Sequence, residues 1–447
     1  MIEKYFEKKN LISFDKTYSA DVFIKHPDKY KQLEIDSQKK ENLISRGGGY
    51  SYSAASFKKE SLSIGMKNFN RILYFDKEKQ EITIESGITF IELLNFTLKY
   101  GLWITQIPGY PFITLGGAVA ANVHGKSCSS DGTIRNVIKN ILIFHKNHGW
   151  LNLSKDENKN IFDLTIGGFG LTGTIVSLTI KLVKLEGLNF ITSVKKTKSI
   201  SDTIDLIKDS KSKNLLAYSW NRVDPNLKNF GEGLVFYNKI EKNKEKIDLE
   251  LSNFNSFHFF MNKINLCLWN KVTIKTFNYF FLNYYRYLKK DNYIDNFSNA
   301  IFPFRGKEMY FSLFGKKGFY ESQILVSHEV AQNFIEELRK AISIYKPTIT
   351  LFSIKEMQGN QEYLRFEGNM TLLTFDVTKN NKNSIFMDEV DKLCIKYNAI
   401  PSIIKDSRLK REVLDKCYKF ADKFREELKN FDSKRFYKSE LSDRLNL

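Results

Sequence analysis

Cysteine is scarce: the 447 residues hold four, Cys128, Cys267, Cys394 and Cys417, widely separated and without a CxxC pair. That spacing excludes a disulfide framework and a thiolate zinc site. Histidine is nearly as sparse, and His145, His148, His258 and His328 show neither HxH nor HExxH spacing, so no metal site is expected. Proline numbers seven, and neither an internal repeat nor a low-complexity linker is present. Every aromatic-rich stretch is broken by Lys, Asn or Asp well before the ~18 apolar residues that a membrane-spanning helix needs. The opening residues 1–10 alternate charge with apolar side chains and lack the apolar core of a signal peptide, which predicts a cytoplasmic protein. No basic stretch carries a nucleic-acid docking motif, so a nucleic-acid partner is not expected.

What is present is apolar and basic. Hydrophobic residues make up 42% and aromatic residues 14%, enough burial to offset chain entropy over two large domains. The formal net charge of +18 favours anionic partners, although most of it reads as solvated surface. Residues 1–190 read as a compact α+β region with short strands at 61–65, 71–75 and 81–85 between charged turns. A helix is expected from Phe90, with apolar residues at 90, 91, 93, 94 and 98, a Thr89/Glu92 capping box and Gly101 as its stop. Residues 191–395 read as a second domain with an amphipathic helix over 329–343, and the last fifty residues are helical and charged.

Three glycine clusters lie in the first region: Arg46-Gly47-Gly48-Gly49-Tyr50-Ser51-Tyr52, Gly109 with Thr114-Leu115-Gly116-Gly117, and Gly167 through Gly173. Glycine lets a backbone turn tightly around a ligand, so that successive N–H groups face a diphosphate. Gly168, Gly170 and Gly173 match GxGxxG literally. The match is rejected as a Rossmann fingerprint, because residues 174–182 alternate like a strand where that motif needs a helix.

The order of these clusters, with Ile107-Pro-Gly109, Val123-His124-Gly125-Lys126 and Lys405-Asp-Ser-Arg408, resembles the vanillyl-alcohol-oxidase-type (PCMH-type) flavoprotein family. Within that family it is most similar to decaprenylphosphoryl-ribose 2-oxidases, with aldonolactone and alditol oxidases next. The resemblance implies an α+β fold: a two-subdomain FAD-binding domain over 1–190, a cap or substrate-binding domain over 191–395, and a helical segment over 396–447 returning to the flavin site. It also implies FAD held by Arg46, Gly47, Gly48, Gly49, Tyr50, Ser51, Tyr52, Gly109, Thr114, Gly116, Gly117, Asn122, His124, Gly125, Gly170, Gly173, Ile175 and Lys405. Relatives that bind the flavin covalently carry a His after the first glycine run. Tyr50 stands there in this chain, so non-covalent FAD is expected.

The same resemblance implies Lys405, His124 and Tyr52 as catalytic residues and Lys355, Gln323 and Leu372 as substrate contacts, Leu372 standing where mycobacterial relatives have a Cys. Read alone, a Lys-Asp-Ser-Arg run is ordinary surface, and only the resemblance makes Lys405 a site residue. The implied reaction is oxidation of a secondary hydroxyl on a sugar, a polyprenyl-phosphate-linked pentose whose keto product a partner short-chain reductase turns into the epimer. An aldonolactone oxidase using O2 and a non-catalytic binding protein are the alternatives. The stretch 254–290 interleaves aromatic residues with Lys263, Lys271, Lys275, Arg286, Lys289 and Lys290, which raises an anionic membrane surface as a partner beside the plainer reading of an aromatic core.

Overall fold

The structure, a computed structural model, describes residues 5–212, 216–224, 230–242, 266–289, 291–302 and 306–447. Helices and strands alternate through it as an α+β protein. The N-terminal part holds two larger sheets and a two-stranded pairing of Leu102–Trp103 with Val183–Lys184. The first has four strands in the order Glu7–Ile12, Ser19–Lys25, Leu62–Gly65, Leu43–Arg46. Its last three strands run parallel to one another, the helix Tyr30–Gln38 making one crossover. The second is a five-stranded antiparallel sheet in the order Ile72–Asp76, Glu81–Glu85, Thr174–Lys181, Ile138–His145, Gly149–Ser154. Strand geometry at Thr174–Lys181 leaves no helix after the third glycine cluster, as its alternation predicts.

The helix Phe90–Thr97 covers the second sheet. Thr89 Oγ1 accepts from the Glu92 N–H at 3.3 Å and the Glu92 carboxylate accepts from the Thr89 N–H at 2.8 Å, so two otherwise orphaned donors are satisfied, a contribution of ~1 kcal/mol. Phe90, Ile91, Leu93 and Leu94 are buried. A 3-10 turn follows, and Gly101 ends it in the left-handed region at φ 68°.

Two further antiparallel sheets follow. One orders Leu216–Asn221, Gly233–Glu241, Asn189–Thr197 and Asn292–Asn296. The other orders Ile349–Met357, Met370–Thr378, Phe319–Val326 and Ile400–Pro401. Their edges adjoin, and the Ile354 N–H donates to Ser219 Oγ at 2.8 Å. One face of the last sheet carries Ile324, Phe352, Ile354, Leu373 and Phe375. It packs on the helices Ala331–Tyr345 and Asn381–Lys396 through Phe334, Leu338, Ile342, Phe386 and Val390. The expected helix over 329–343 starts two residues later, because Ser327 through Val330 form a turn first.

The C-terminal helices Arg411–Cys417, Ala421–Phe431 and Glu440–Leu445 bring the chain back to its beginning. Leu43 exchanges backbone hydrogen bonds with Phe436 and Lys438, and the buried Tyr437 hydroxyl donates to Phe144 O at 3.1 Å. No helix among the described residues is long and apolar enough to cross a membrane.

Candidate active site

The first glycine loop leaves the strand Leu43–Arg46 and runs beside the second. A Cβ on Gly47 would lie 2.1 Å from Thr114 Oγ1, so only glycine lets the two loops touch. Gly49 holds φ at +76°. The N–H groups of Gly47, Gly48 and Gly49 donate to nothing among the described residues. Tyr50 packs against Tyr110 and Phe14. Ser51 Oγ is buried without a partner. In the second loop Gly116 fits tightly against Ser86 while Gly117 is exposed. Gly125 has no room for a side chain, since its Cβ would sit 2.4 Å from Ile107 O.

Strand alternation then brings distant residues to one place. In the last sheet Glu321 lies opposite Asp376, Gln323 opposite Thr374, and Lys355 opposite Leu372. Side chains two apart on a strand share a face, so Glu321, Gln323, Lys355, Leu372 and Asp376 form one side of that sheet while the apolar residues form the other. That polar face meets Tyr52, His124 and Lys405. Gln323 Oε1 is 3.2 Å from His124 Nε2, and Gln323 Nε2 donates to Glu321 Oε1 at 2.8 Å. Lys405 Nζ lies 3.2 Å from Glu321 Oε1 and 3.9 Å from the centre of the Tyr52 ring. Tyr310, from outside the sheet, donates its hydroxyl to Asp376 Oδ2 at 2.8 Å.

Burial sets the protonation states here. It drives His124 down to about 3, helped by the charge of Lys355, so the imidazole is neutral. Burial also lowers Lys355, and lowers Lys126 strongly. Lys126 Nζ donates to Ala300 O and lies 4.3 Å from the Tyr218 ring centre. Tyr52 and Asp376 are both pushed well up by burial, with Glu321 beside each adding to the effect.

Tyr52, His124, Gln323, Lys355 and Lys405 therefore share one site, with Leu372 fully buried in register with Lys355. Other residues named from the sequence lie outside this cluster. The Arg46 guanidinium donates to Ser56 Oγ at 2.8 Å and sits over Phe57. Asn122 Nδ2 donates to Glu367 at 2.6 Å, leaving its buried Oδ1 without a partner. Gly109 lies in the turn before Tyr110, and Gly170 and Gly173 hold positive φ ahead of a strand in which Ile175 is buried in the apolar core. Within the Lys-Asp-Ser-Arg run only Lys405 reaches the site. Arg408 instead anchors the loop to Asp391 through hydrogen bonds of 2.6 and 2.8 Å. Glu321, Asp376 and Tyr310 were not singled out from the sequence, and Lys126 entered only as part of the Val123-His124-Gly125-Lys126 motif. The signal for the first two was lone acids in the otherwise uncharged strands Phe319–Val326 and Met370–Thr378.

Residues 31–154 match the family described as an FAD binding domain, which defines the class of this part of the chain and makes FAD its cofactor. The chain is similar to the decaprenylphosphoryl-beta-D-ribose oxidase of Mycolicibacterium smegmatis, at 31% identity over 173 residues that make up 38% of each chain. It is also similar to the L-gulonolactone oxidase of Bos taurus, at 25% identity over 39% of each chain. Cytokinin dehydrogenase 3 of Arabidopsis thaliana is 28% identical over 34% of this chain and 29% of that one. The chain thus matches less than half the length of these relatives, and the resemblance read from the motifs holds over that part. The residues present suit FAD: the unused N–H groups of Gly47 to Gly49 and the unpaired, buried Ser51 Oγ are donors a diphosphate or ribose can engage.

Proposed function

We propose that the protein is an FAD-dependent oxidoreductase that oxidises a secondary hydroxyl of a sugar. The observation that carries this reading is the meeting of one polar sheet face, Glu321, Gln323 and Lys355, with His124 and Lys405 next to the glycine loops. In finer detail, residues 1–190 form two subdomains gripping FAD through the loops at 47–52, 109–117 and 170–175. Residues 191–395 form the cap, and 396–447 return Lys405 to the site. When bound, FAD supplies the acceptor for the hydride of the carbinol carbon. The protein's part is orientation and charge. Lys405 keeps a cation beside the reacting groups, where it stabilises negative charge as it develops. His124, held neutral, orients the hydroxyl without adding charge, and Tyr52 walls the site with a protonated phenol.

The substrate we favour is a polyprenyl-phosphate-linked pentose. Burial lowers both Lys126 and Lys355, and the charge of Lys355 lowers Lys126 further, so a phosphate on that side of the site would relieve the cost of their charged forms, whereas a neutral aldonolactone, the substrate class of the second reading, offers no such partner. The keto product then goes to a separate short-chain reductase, completing an epimerisation for cell-envelope glycan synthesis. Incubating the protein with such a lipid-linked pentose tests the reading: mass spectrometry should find a product lighter by two hydrogens that takes up deuterium from borodeuteride, and an unchanged sugar would contradict it.

FAD is held non-covalently on this reading. Tyr50 cannot form the histidyl link, and Cys128 is buried, pushed up to about 11 by burial, with its thiol donating to Glu356 O at 3.1 Å.

We also propose an anionic membrane surface as partner. Support comes from Val272, Tyr279, Phe280, Tyr287 and Leu288, all exposed on the helical stretch 271–288 beside exposed Lys271 and Lys275. Not all of the aromatic stretch serves this. Trp269 is buried against Tyr310 and Phe314, while Phe281 and Tyr285 pack on Trp220 and Phe236. Phe257, Phe259, Phe260, Lys263 and Lys290 lie outside the described residues.

A further inference from the structure

Every residue that gives the site its chemistry leads back to one carboxylate that no sequence motif contains. Glu321 Oε1 accepts from Gln323 Nε2 at 2.8 Å and faces Lys405 Nζ at 3.2 Å. Tyr52 lies beside the same side chain, which adds to the upward push on its phenol, and Asp376 stands opposite Glu321 across the strand pair. Its side chain is only 6% exposed, so water does not compete for these bonds.

We propose that Glu321 is a positioning residue that, acting through Gln323, decides which ring nitrogen of His124 carries the proton. An ionised carboxylate only accepts, so Gln323 must turn its NH2 group toward Glu321 and its carbonyl oxygen toward His124. That oxygen is 3.2 Å from Nε2, and two acceptors at this distance would repel. Nε2 therefore bears the hydrogen. The opposite arrangement requires Gln323 to turn over, placing its oxygen 2.8 Å from the carboxylate. It would lose a charge-assisted bond and gain in its place only the long Nδ1 contact to Gly125 O at 3.4 Å. Lys405 Nζ, 3.2 Å from Glu321 Oε1, also calls for an acceptor there, while burial, with Glu321 beside it, pushes Asp376 up. Tyr310, donating to Asp376 Oδ2, holds that carboxyl in place. With Nε2–H committed to Gln323, Nδ1 keeps its lone pair, 3.4 Å from Gly125 O, and the residue is presented as a neutral, singly oriented imidazole. The selection deepens the proposed function, since it sets how His124 meets a substrate hydroxyl, yet it exists before any substrate arrives.

The test is NMR of the FAD-loaded protein with 15N-labelled histidine, His124 being assigned by the signals lost in His124→Asn. The proposal expects the proton of neutral His124 on Nε2. Glu321→Gln retains an oxygen that can take the Gln323 bond and should keep the proton on Nε2. Glu321→Leu and, independently, Gln323→Leu remove the relay, and the protonated-nitrogen signal should move wholly or partly to Nδ1. A parent protein with the proton on Nδ1 would overturn the proposal without any variant needing to fold. So would a Glu321→Leu protein that still binds FAD and keeps Nε2 protonated as fully as the parent. Because no substrate is added, failure of the sugar assignment leaves this result unaffected.

Discussion

Replacing Lys405 by alanine isolates the contribution of the cation. Its ammonium lies 3.2 Å from Glu321 Oε1, a Coulomb attraction of about 5 kcal/mol at an effective dielectric of ~20. Lys405 is 29% exposed and Glu321 6%, so desolvation and screening reduce the net worth to roughly 1–3 kcal/mol, between the exposed and buried cases. The fold should survive that loss with a modestly lower Tm. The effect on chemistry should be larger, because a preorganised charge acts most strongly where charge develops. Loss of one such group lowers a rate by roughly 100-fold or more, about 2.7 kcal/mol. The assay is anaerobic stopped-flow reduction of the flavin by the lipid-linked pentose, with FAD content measured in parallel. Reduction at the parental rate by a Lys405→Ala protein of full FAD content would refute the role given to Lys405.

His124→Ala should also slow flavin reduction while leaving FAD bound, as measured in the same assay. The His124 imidazole gives a pH dependence of stability. Its folded value of about 3 lies below its ordinary 6.5, so the unfolded chain binds the extra proton between those values. Stability is then complete above pH 6.5 and falls by up to about 1.4 kcal/mol per pH unit on acidification toward 3; urea melts of parent and His124→Asn should differ in this slope, and equal slopes would count against a buried, neutral His124. Acid precipitation should leave yellow colour in the supernatant, whereas a yellow pellet would mean covalent FAD. Phe334→Ala should destabilise by roughly 3–5 kcal/mol in denaturant melts, because Phe334 is fully buried between helix and sheet. Vesicles with anionic lipid should float the protein at low salt and release it at high salt, and no flotation at low salt would remove the membrane partner.

Features encoded locally were readable from the sequence. The capping box at Thr89 and Glu92, the stop at Gly101 and the strand character of 174–181 all follow from neighbouring residues, and each stands in the structure. Of the residues that meet at the polar sheet face, Tyr52, His124 and Lys405 were named from motifs, and Gln323 and Lys355 only through the wider resemblance. Glu321 and Asp376 were not, because their meaning depends on pairing between strands 55 positions apart and on which face of the sheet a helix covers. Whether the aromatic residues of 254–290 face a core or a bilayer stayed open for a related reason: the partners of buried Trp269, Tyr310 and Phe314, lie 41 or more positions away, and composition alone does not separate a buried ring from one facing a bilayer.

The central claim is that a sugar carbinol delivers its hydride to FAD in the site of Lys405 and His124. Anaerobic titration of the FAD-loaded protein, following the flavin absorbance band, tests it most directly. Polyprenyl-phosphate pentose should bleach the band and free aldonolactones should not. Bleaching by the lactones alone would move the protein to the lactone oxidases, and an unbleached flavin with both would contradict the account.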